Sequence, residues 1–327
     1  MKELIRDFPD HLKHATDLVA QAKWKNPAKR FKAILVTGLG GSGIGGSLVS
    51  EWMASTSATP ILVNKDYYLP AWVDENCLVI ACSYSGNTEE TLSATKEALD
   101  RNAEVAVITS GGQMLSIAQD HGLNALVVPG GNPPRSMMGY SVTGLMAYMD
   151  FYGLNTPDYK SAWQEAIDKM KAEADEFYSK AEAYAQQLHG RYPVVYSTDG
   201  LAALAERIRQ QLNENAKMVG WSAAIPEMNH NELVGWAGGN DQFAVILLRH
   251  SAEHERNAMR AEINKDILKK HTPHLLEWRS DASSPIAQVL CLSHLADWVS
   301  YHLSEMNGVD IMDIKVIDFL KSELSQR

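Results

Sequence analysis

The stretch GLGGSGIGGS, residues 38–47, follows directly on the apolar run Ala33–Thr37. Its glycines let the backbone turn tightly and come close to a ligand. A strand that is followed by such a turn and then by a helix aims free N–H groups at an anion. The stretch therefore predicts an α/β fold with a ligand-binding loop, and Gly40, Gly41 and Ser42 are its candidate contact residues.

Short uninterrupted apolar runs recur along the chain and alternate with stretches that suit helices. Runs of this kind are typical of strands that are buried on both faces of a parallel sheet. The predicted strands are Ala33–Thr37, Ile61–Asn64, Leu78–Ser83, Val105–Thr109 and Ala125–Pro129, then Pro193–Ser197, Phe243–Arg249 and Leu275–Arg279. We therefore expect two doubly wound parallel-sheet domains with flanking helices.

Residues 158–188 are rich in Ala, Glu and Lys, contain no Gly or Pro, and predict one or two long helices that connect the domains. The expected division is an N-terminal domain over 1–155, linking helices over 156–190 and a C-terminal domain over 191–327. The other predicted helices are 1–24, Val142–Tyr152, Leu201–Asn213, Ser251–Leu268, Pro285–Glu305 and Val316–Glu323.

The composition excludes several classes of protein. A formal net charge of −10 over 327 residues argues against electrostatic binding to nucleic acid or to anionic lipid. No segment approaches 18 uninterrupted apolar residues, so we expect no spanning helix. The three cysteines form no C-x-x-C pair, and the N-terminus MKELIRDFPD does not look like a signal peptide. The expected location is the reducing cytoplasm.

A second loop, SYSGNTEET at residues 83–91, follows the apolar run Leu78–Cys82 and carries four hydroxyl groups in nine residues. Hydroxyls and free N–H groups at a helix start can hold a phosphate without a basic residue. The alternative is ordinary helix capping by Asn87 or Thr88, with a glutamate one turn further on. The predicted phosphate-binding residues are Ser83, Ser85 and Thr88, with Ser42 close by.

The first loop also fits a dinucleotide-binding pattern, because Gly38, Gly40 and Gly43 have the G-x-G-x-x-G spacing. That interpretation requires an acidic residue at the end of the second strand. Asp66 is the only candidate, and it lies slightly beyond the end of Ile61–Asn64.

Together the two loops resemble the sugar isomerase (SIS) domain, whose second loop holds the substrate phosphate. Over nearly its whole length the chain is similar to the bifunctional phosphoglucose/phosphomannose isomerases, which have two SIS domains. Four further segments carry this resemblance: GNPPRS at 131–136, QLNENAK at 211–217, PEMNHNE at 226–232 and IDFLK at 317–321. Residue by residue, the resemblance implies that Arg135, Glu214, His230 and Lys321 are catalytic.

The implied activity is aldose–ketose isomerisation of glucose 6-phosphate and fructose 6-phosphate, as in glycolysis and gluconeogenesis. Glu214 would move a proton between C1 and C2, and Arg135 would stabilise the enediolate charge, since arginine stays protonated. His230, with Lys321 nearby, would move protons during ring opening. No metal and no cofactor are implied.

Each candidate also has a purely structural interpretation. Glu214 and Lys321 are of a type that is often merely solvated, Arg135 could form an ion pair, and His230 could be a structural hydrogen-bonding group. Glu227 and Glu232 are alternative bases. The spacing Glu227-x-x-His230 also occurs in metal-binding helices, against which the preceding Pro226 and the absence of a second such pair argue.

The chain departs from the family in the run Asp310-Ile311-Met312-Asp313, where the family often carries a threonine that is linked with mannose 6-phosphate. The mannose activity is therefore open. The resemblance also implies a homodimer whose histidine segment reaches the neighbouring subunit's site. The alternatives are a sugar-phosphate-binding regulator without chemistry and an isomerase of an amino sugar phosphate, because one fold hosts many activities.

Overall fold

The computed structural model describes residues 1–25 and 30–326. The chain forms two compact units. The N-terminal unit holds Arg6–Ala172 and Ala282–Ala287, and the C-terminal unit holds Met1–Ile5, Glu173–Asp281 and the chain from Gln288 onward. The expected division into 1–155, 156–190 and 191–327 stays a prediction, and its last residue lies outside the described part of the chain.

The N-terminal unit contains a parallel sheet of five strands in the order β2-β1-β3-β4-β5. Strands β1 and β3 lie inside the sheet and are buried at every residue, as their uninterrupted apolar runs predict. The strands are β1 (Ala33–Thr37), β2 (Ile61–Asn64), β3 (Cys77–Ser83), β4 (Glu104–Thr109) and β5 (Asn124–Val127).

Burial on both faces was wrong for the two edge strands of this sheet. Leu62 on β2 is 42% exposed, and Val127 on β5 is 46% exposed. An edge strand has a neighbour on one side only, so its residues can reach solvent while the apolar run in the sequence looks the same.

The described residues before Glu173 form seven α-helices. Helix α6 is buried at every residue from Met138 to Met149, which explains why its sequence shows no polar face. In chain order the helices are α1 (Lys2–Arg6), α2 (Phe8–Gln21), α3 (Gly40–Met53), α4 (Glu89–Asp100), α5 (Gly112–Asp120), α6 (Met138–Phe151) and α7 (Tyr159–Ala172).

The C-terminal unit contains a parallel sheet of four strands in the order β7-β6-β8-β9. The sequence predicts three of these strands and misses β7, since its run Trp-Ser-Ala-Ala is short and lies at the sheet edge with half-exposed side chains. The strands are β6 (Tyr192–Ser197), β7 (Trp221–Ala224), β8 (Phe243–Leu248) and β9 (Leu275–Trp278).

From Glu173 to residue 326, the described chain forms six more α-helices. The predicted linking segment forms two helices, α7 and α8, which belong to different units. The remaining helices are α8 (Ala174–Leu188), α9 (Ala202–Ala216), α10 (Glu232–Gly235), α11 (Glu255–Leu268), α12 (Pro285–Met306) and α13 (Lys315–Ser325). Within the described ranges, none of the helices is long and apolar enough to cross a membrane.

Candidate active site

The glycine-rich loop after β1 packs tightly against the segment that carries Arg135. Gly40 has a φ of 53°, in the left-handed region that favours glycine. A Cβ atom on Gly41 would lie 2.8 Å from the carbonyl carbon of Pro134, so a larger residue would push the two segments apart. The predicted loop residues Gly40 and Gly41 are therefore required by the turn and by this close approach.

Ser42 joins the glycine-rich loop to the hydroxyl-rich loop, because its Oγ accepts a hydrogen bond from the backbone N–H of Tyr84 at 3.1 Å. Ser83 is buried at the end of β3, and its Oγ donates to Oγ1 of Thr88 at 3.1 Å. Ser85 is exposed, and its Oγ accepts a backbone N–H two residues further on at 3.3 Å. Most of the predicted glycine-rich loop is thus the start of α3, with Ser42 in its first turn, while Ser83 ends β3 and Ser85 and Thr88 lie between β3 and α4.

Thr88 occupies the N-cap position of α4, but within the described residues no side chain caps this helix. The Thr88 hydroxyl accepts from Ser83 instead, and Oδ1 of Asn87 accepts from the backbone N–H of Gln113 at 3.1 Å. The capping interpretation therefore places the helix start correctly and gets the side-chain bond wrong. A helix start of this kind, with its partial positive charge, suits phosphate oxygens.

Arg135 lies in the 3₁₀ turn Pro134–Ser136 and is only 3% exposed. Tyr84 braces the chain ahead of this turn: its hydroxyl donates to the carbonyl oxygen of Pro129 at 2.8 Å and accepts the N–H of Asn132 at 3.2 Å. Burial raises the pKa of Tyr84, so the phenol stays protonated at neutral pH. Sequence reasoning missed Tyr84, although it is the one aromatic residue in a loop of small polar residues.

Glu214 lies on the last turn of α9 and is half-buried. The helix ends at Lys217, which has a left-handed φ of 57°. The ammonium group of Lys217 donates to the carbonyl oxygens of Glu214 at 2.6 Å and of Asp313 at 2.8 Å. A cation at a helix C-terminus is favourable, and here it also ties the Glu214 turn to the residues just before α13.

A buried polar stripe on α9 fixes how this helix is rotated against α12. Nη2 of Arg207 donates to both carboxylate oxygens of Asp297 at 2.9 and 2.7 Å. Nε2 of Gln211 donates to the same carboxylate at 2.6 Å, and Nδ2 of Asn215 donates to Oγ of Ser300 at 2.9 Å. The position of Glu214 on the surface of α9 is set by these bonds.

His230 is the last residue of the 3₁₀ turn Glu227–His230 and is exposed. Among residues 1–25 and 30–326 its imidazole has no hydrogen-bond partner and is therefore available to a ligand. Oε1 of Glu227 accepts from Nδ2 of Asn231 at 3.0 Å. The described side chains form no group of three potential metal ligands, and the Glu227-x-x-His230 spacing lies in a 3₁₀ turn and not in an α-helix.

Glu232, the other alternative base, belongs to a hydrogen-bond network on β6 and β7. Its Oε1 accepts from the hydroxyl of Tyr196 and from Nε1 of Trp221, both at 2.5 Å. Nε1 of Trp236 donates to the Tyr196 hydroxyl at 2.7 Å. Burial and the neighbouring Glu232 carboxylate raise the pKa of Tyr196, which keeps this donor protonated. Glu232 therefore has a structural role that explains its presence.

Lys321 lies on α13, and both it and Met312, just before that helix, are exposed. The ammonium group of Lys321 has no hydrogen-bond partner in the described part of the chain. The backbone N–H of Met312 donates to Oδ1 of Asp310 at 2.8 Å, which shapes the run that precedes α13. The structure thus does not join His230 and Lys321 to Glu214 by hydrogen bonds.

Two family models match the chain. The SIS domain model matches residues 29–149, and the model of the bacterial phospho-glucose isomerase C-terminal SIS domain matches residues 177–324. The first match spans the five-stranded sheet and the second spans the four-stranded sheet. These matches favour the sugar-isomerase interpretation of the glycine-rich loop over the dinucleotide interpretation.

Full-length relatives give the same result. The chain is 36% identical over 312 residues to a bifunctional phosphoglucose/phosphomannose isomerase of Aquifex aeolicus, which covers 94% of this chain and 95% of that protein. A protein of the same description from Caldicellulosiruptor bescii is 32% identical over 336 residues, with 100% and 99% covered. A D-glucosamine-6-phosphate 4-epimerase of Sulfolobus acidocaldarius is 32% identical over 222 residues, with 67% and 69% covered.

Solved structures share the fold at lower identity. The C-terminal domain of glucosamine-fructose-6-phosphate aminotransferase from Francisella tularensis superposes with a TM-score of 0.74 at 12% identity, covering 95% of this chain and 97% of that one. Tagatose-6-phosphate ketose/aldose isomerase from Escherichia coli gives a TM-score of 0.67 at 15% identity, with 94% of each chain covered. The expected α/β fold with two SIS-type sheets is confirmed.

Proposed function

The chain belongs to the bifunctional phosphoglucose/phosphomannose isomerase family, and we propose that it interconverts glucose 6-phosphate and fructose 6-phosphate. The observation that carries this proposal is the pair of loops joined by the hydrogen bond between Ser42 and Tyr84, ahead of a helix that no described side chain caps. Hydroxyls and N–H groups in such a loop can hold a phosphate without a basic residue.

In this proposal Ser83, Ser85 and Thr88 hold the substrate phosphate, and Ser42 lies close by. Gly40 and Gly41 let the backbone approach the sugar. The support is local geometry: each of these residues lies at the carboxyl end of β1 or β3, which is where ligands bind in open parallel sheets.

Glu214 is the proposed base. It removes the proton from C2 of the open-chain aldose, which leaves an enediolate with its charge on O1. The hydroxyl proton then passes from O2 to O1 and Glu214 returns the first proton to C1, which gives the ketose; the reverse reaction uses the same steps. The guanidinium of Arg135 stabilises the enediolate, because it never loses its charge. The proton-transfer steps use side chains alone, so the proposal includes no metal or cofactor.

His230 is the proposed ring-opening residue, assisted by Lys321. Ring opening takes a proton from the anomeric hydroxyl and delivers one to the ring oxygen. A histidine suits this step because its ordinary pKa lies close to neutral pH. The exposed, unpartnered imidazole is compatible with a role in its own or in a neighbouring subunit's site.

For mannose 6-phosphate the same enediolate has to be protonated at C2 on the opposite face. Met312, which is 44% exposed, stands in the run where the family often carries a threonine. Because that threonine is absent here, we propose that mannose 6-phosphate is a slower substrate of the same site.

A homodimer with the active site at the subunit boundary is also part of the proposal. Helix α13 presents a large apolar surface to solvent: Val316 is 83% exposed, Phe319 is 66% exposed and Leu320 is 58% exposed. Apolar patches of this kind on a protein surface usually mark an interaction site.

Cys77, Cys82 and Cys291 are free and buried, in keeping with a cytoplasmic location.

The test is an assay of the purified protein with fructose 6-phosphate, in which glucose 6-phosphate and mannose 6-phosphate are read separately. We expect glucose 6-phosphate as the main product and mannose 6-phosphate as a minor one. Binding without turnover would instead favour the sugar-phosphate-binding regulator. A monomer that keeps full activity at micromolar concentration would contradict the shared site.

An amino sugar phosphate is the second candidate substrate, because the Sulfolobus relative named as a D-glucosamine-6-phosphate 4-epimerase matches two thirds of the chain. Glucosamine 6-phosphate in the same assay decides between them. Turnover of glucosamine 6-phosphate that exceeds turnover of fructose 6-phosphate would replace the first proposal by the second.

A further inference from the structure

The carboxyl edge of the second sheet holds a buried ion pair between two residues of one loop. Arg249 follows β8 and is 3% exposed at its side chain, and Glu253, four residues later, is 5% exposed. Nε of Arg249 donates to both carboxylate oxygens of Glu253 at 2.6 and 2.8 Å, and Nη2 donates to Oε2 at 2.6 Å.

Two further donors converge on the same carboxylate from different elements. The hydroxyl of Thr198, directly after β6, donates to Oε1 of Glu253 at 2.7 Å, and the backbone N–H of His250 donates to it at 3.1 Å. A guanidinium, a hydroxyl and a loop N–H arranged around one oxyanion form the kind of donor set that binds a small anion. Here the chain's own glutamate fills it.

This edge matches the proposed phosphate edge of the first sheet in its topology. Strands β6 and β8 are neighbours inside the second sheet, as β1 and β3 are inside the first. Thr198 bonds from the loop after one inner strand to the loop after the next, and Ser42 makes the corresponding link from the first turn of α3. The difference is chemical, because the first edge offers hydroxyls and the second contains a carboxylate.

The backbone N–H groups at the start of α11, which lies at the same edge, already donate to side chains of the chain itself. The carboxylate of Asp199 accepts the backbone N–H of His254 at 2.6 Å and accepts a hydrogen bond from Nδ2 of Asn257. Nδ1 of His254 in turn accepts the N–H of Arg256 at 3.1 Å and caps α11. The carboxylates of Glu253 and Asp199 would also repel a phosphate, as would those of Glu262 and Glu277 on the far side of Arg249.

Glu253 is ionised in the folded protein. Burial by itself would raise its pKa, but the hydrogen bonds from Arg249, Thr198 and the His250 N–H outweigh burial and lower it. The edge therefore holds a negative charge at neutral pH and not a neutral acid.

We propose that the carboxyl edge of the second sheet is an oxyanion site closed by the chain's own Glu253, and that removing this carboxylate opens the site to small carboxylate ions. The proposal rests only on the contacts of Glu253.

The experiment is thermal unfolding of full-length Glu253→Ala in rising sodium acetate, with sodium chloride at equal ionic strength as the reference. We expect a lower midpoint than in the wild type, and a saturable rise of about 2 °C or more with acetate beyond the effect of chloride. The wild type should show no such extra rise. An equal response of wild type and variant to the two salts would overturn the closed site.

Glu262→Ala is the matched control. Its carboxylate also accepts from Arg249, through Nη1 at 2.7 Å, but it is 57% exposed, so its removal leaves no enclosed space. Acetate should not stabilise this variant. If Glu253→Ala does not fold in chloride, purification in acetate decides the matter: recovery of folded protein supports the proposal, and failure in both salts overturns it.

Discussion

The ammonium group of Lys217 donates a hydrogen bond to the carbonyl oxygen of Asp313 at 2.8 Å. A second bond from the same group, to the carbonyl oxygen of Glu214 at 2.6 Å, links the end of α9 to the run before α13. Both acceptors are backbone atoms. Side chains can therefore be exchanged at Glu214 and at Met312 while this connection stays intact, which makes both positions suitable for testing the chemistry.

Glu214→Gln keeps the size of the side chain and removes the proposed base. General-base assistance is typically worth about 10²–10⁴-fold. We expect kcat to fall at least about a hundredfold, with KM little changed because the phosphate loop is untouched. Steady-state kinetics with fructose 6-phosphate measure both constants.

The controls for the base are Glu227→Gln and Glu232→Gln. Glu232→Gln should lower stability more than turnover, since its carboxylate bonds Tyr196 and Trp221. If Glu214→Gln keeps normal turnover while one of the controls loses it, the base is a different glutamate. If all three remain active, a glutamate does not carry the proton.

Met312→Thr should restore the hydroxyl that the family often carries before the last helix. A neutral hydrogen bond is worth about 1 kcal/mol, so we expect the ratio of mannose to glucose product to rise about fivefold. Met259→Thr is the control, because Met259 is similarly exposed, at 47% against 44% for Met312. An unchanged product ratio would mean that this position does not set the preference.

Ser83→Ala tests the phosphate loop. A hydrogen bond to a charged group contributes about 1.5–3 kcal/mol, which corresponds to about a tenfold to hundredfold rise in KM for fructose 6-phosphate. Ser179→Ala, which removes an exposed hydroxyl bonded to the Asp175 carbonyl on α8, should leave KM unchanged. Equal values of KM for the two variants would place the phosphate elsewhere.

Asp297→Asn removes the charge of the carboxylate that fixes α9 against α12. Breaking a buried pair costs about 3–5 kcal/mol, and the side chains of Arg207 and Asp297 are 3% and 5% exposed. Asp150→Asn is the exposed counterpart: its pair with Lys160 is 47% and 66% exposed and should contribute about 0–1 kcal/mol. Urea unfolding of both variants compares the two free energies, and similar losses would contradict the role of the buried pair.

His294 makes the stability of the C-terminal unit depend on pH. Burial in α12 lowers its pKa from 6.5 to about 3, so the native state stays neutral while the unfolded chain binds a proton below pH 6.5. Protons then favour the unfolded state, and between pH 7 and pH 5 we expect a loss of about 2 kcal/mol that His294→Gln lacks. Urea unfolding of both proteins at the two pH values measures this difference.

The architecture was predictable from the sequence because strands inside a parallel sheet have a local signature. β1 and β2 have the predicted bounds, and the hydroxyl-rich loop lies where it was expected. β7 has no such signature: Trp221 is its only large apolar residue, and an edge strand needs no more. Its place in the sheet is set by pairing with β6. The residues of β7 alone give no sign of that pairing.

The residues that hold the site together were the least predictable. Tyr84 and Lys217 both act through hydrogen bonds to backbone atoms of distant residues. Such contacts leave no periodicity and no spacing in the sequence, because the partner can lie anywhere along the chain. The resemblance to a family supplied Glu214 and His230, and it gave no signal for the residues that position them.

The three thiols carry a practical consequence. Cys82 is the last residue but one of the inner strand β3 and lies against Gly38, and burial raises its pKa to about 12. A thiol that is neither ionised nor accessible does not react with alkylating reagents. Modification of Cys82 therefore requires the first sheet to open. The rate at which Cys82 is labelled, followed by mass spectrometry, measures the rate of that opening in the intact enzyme.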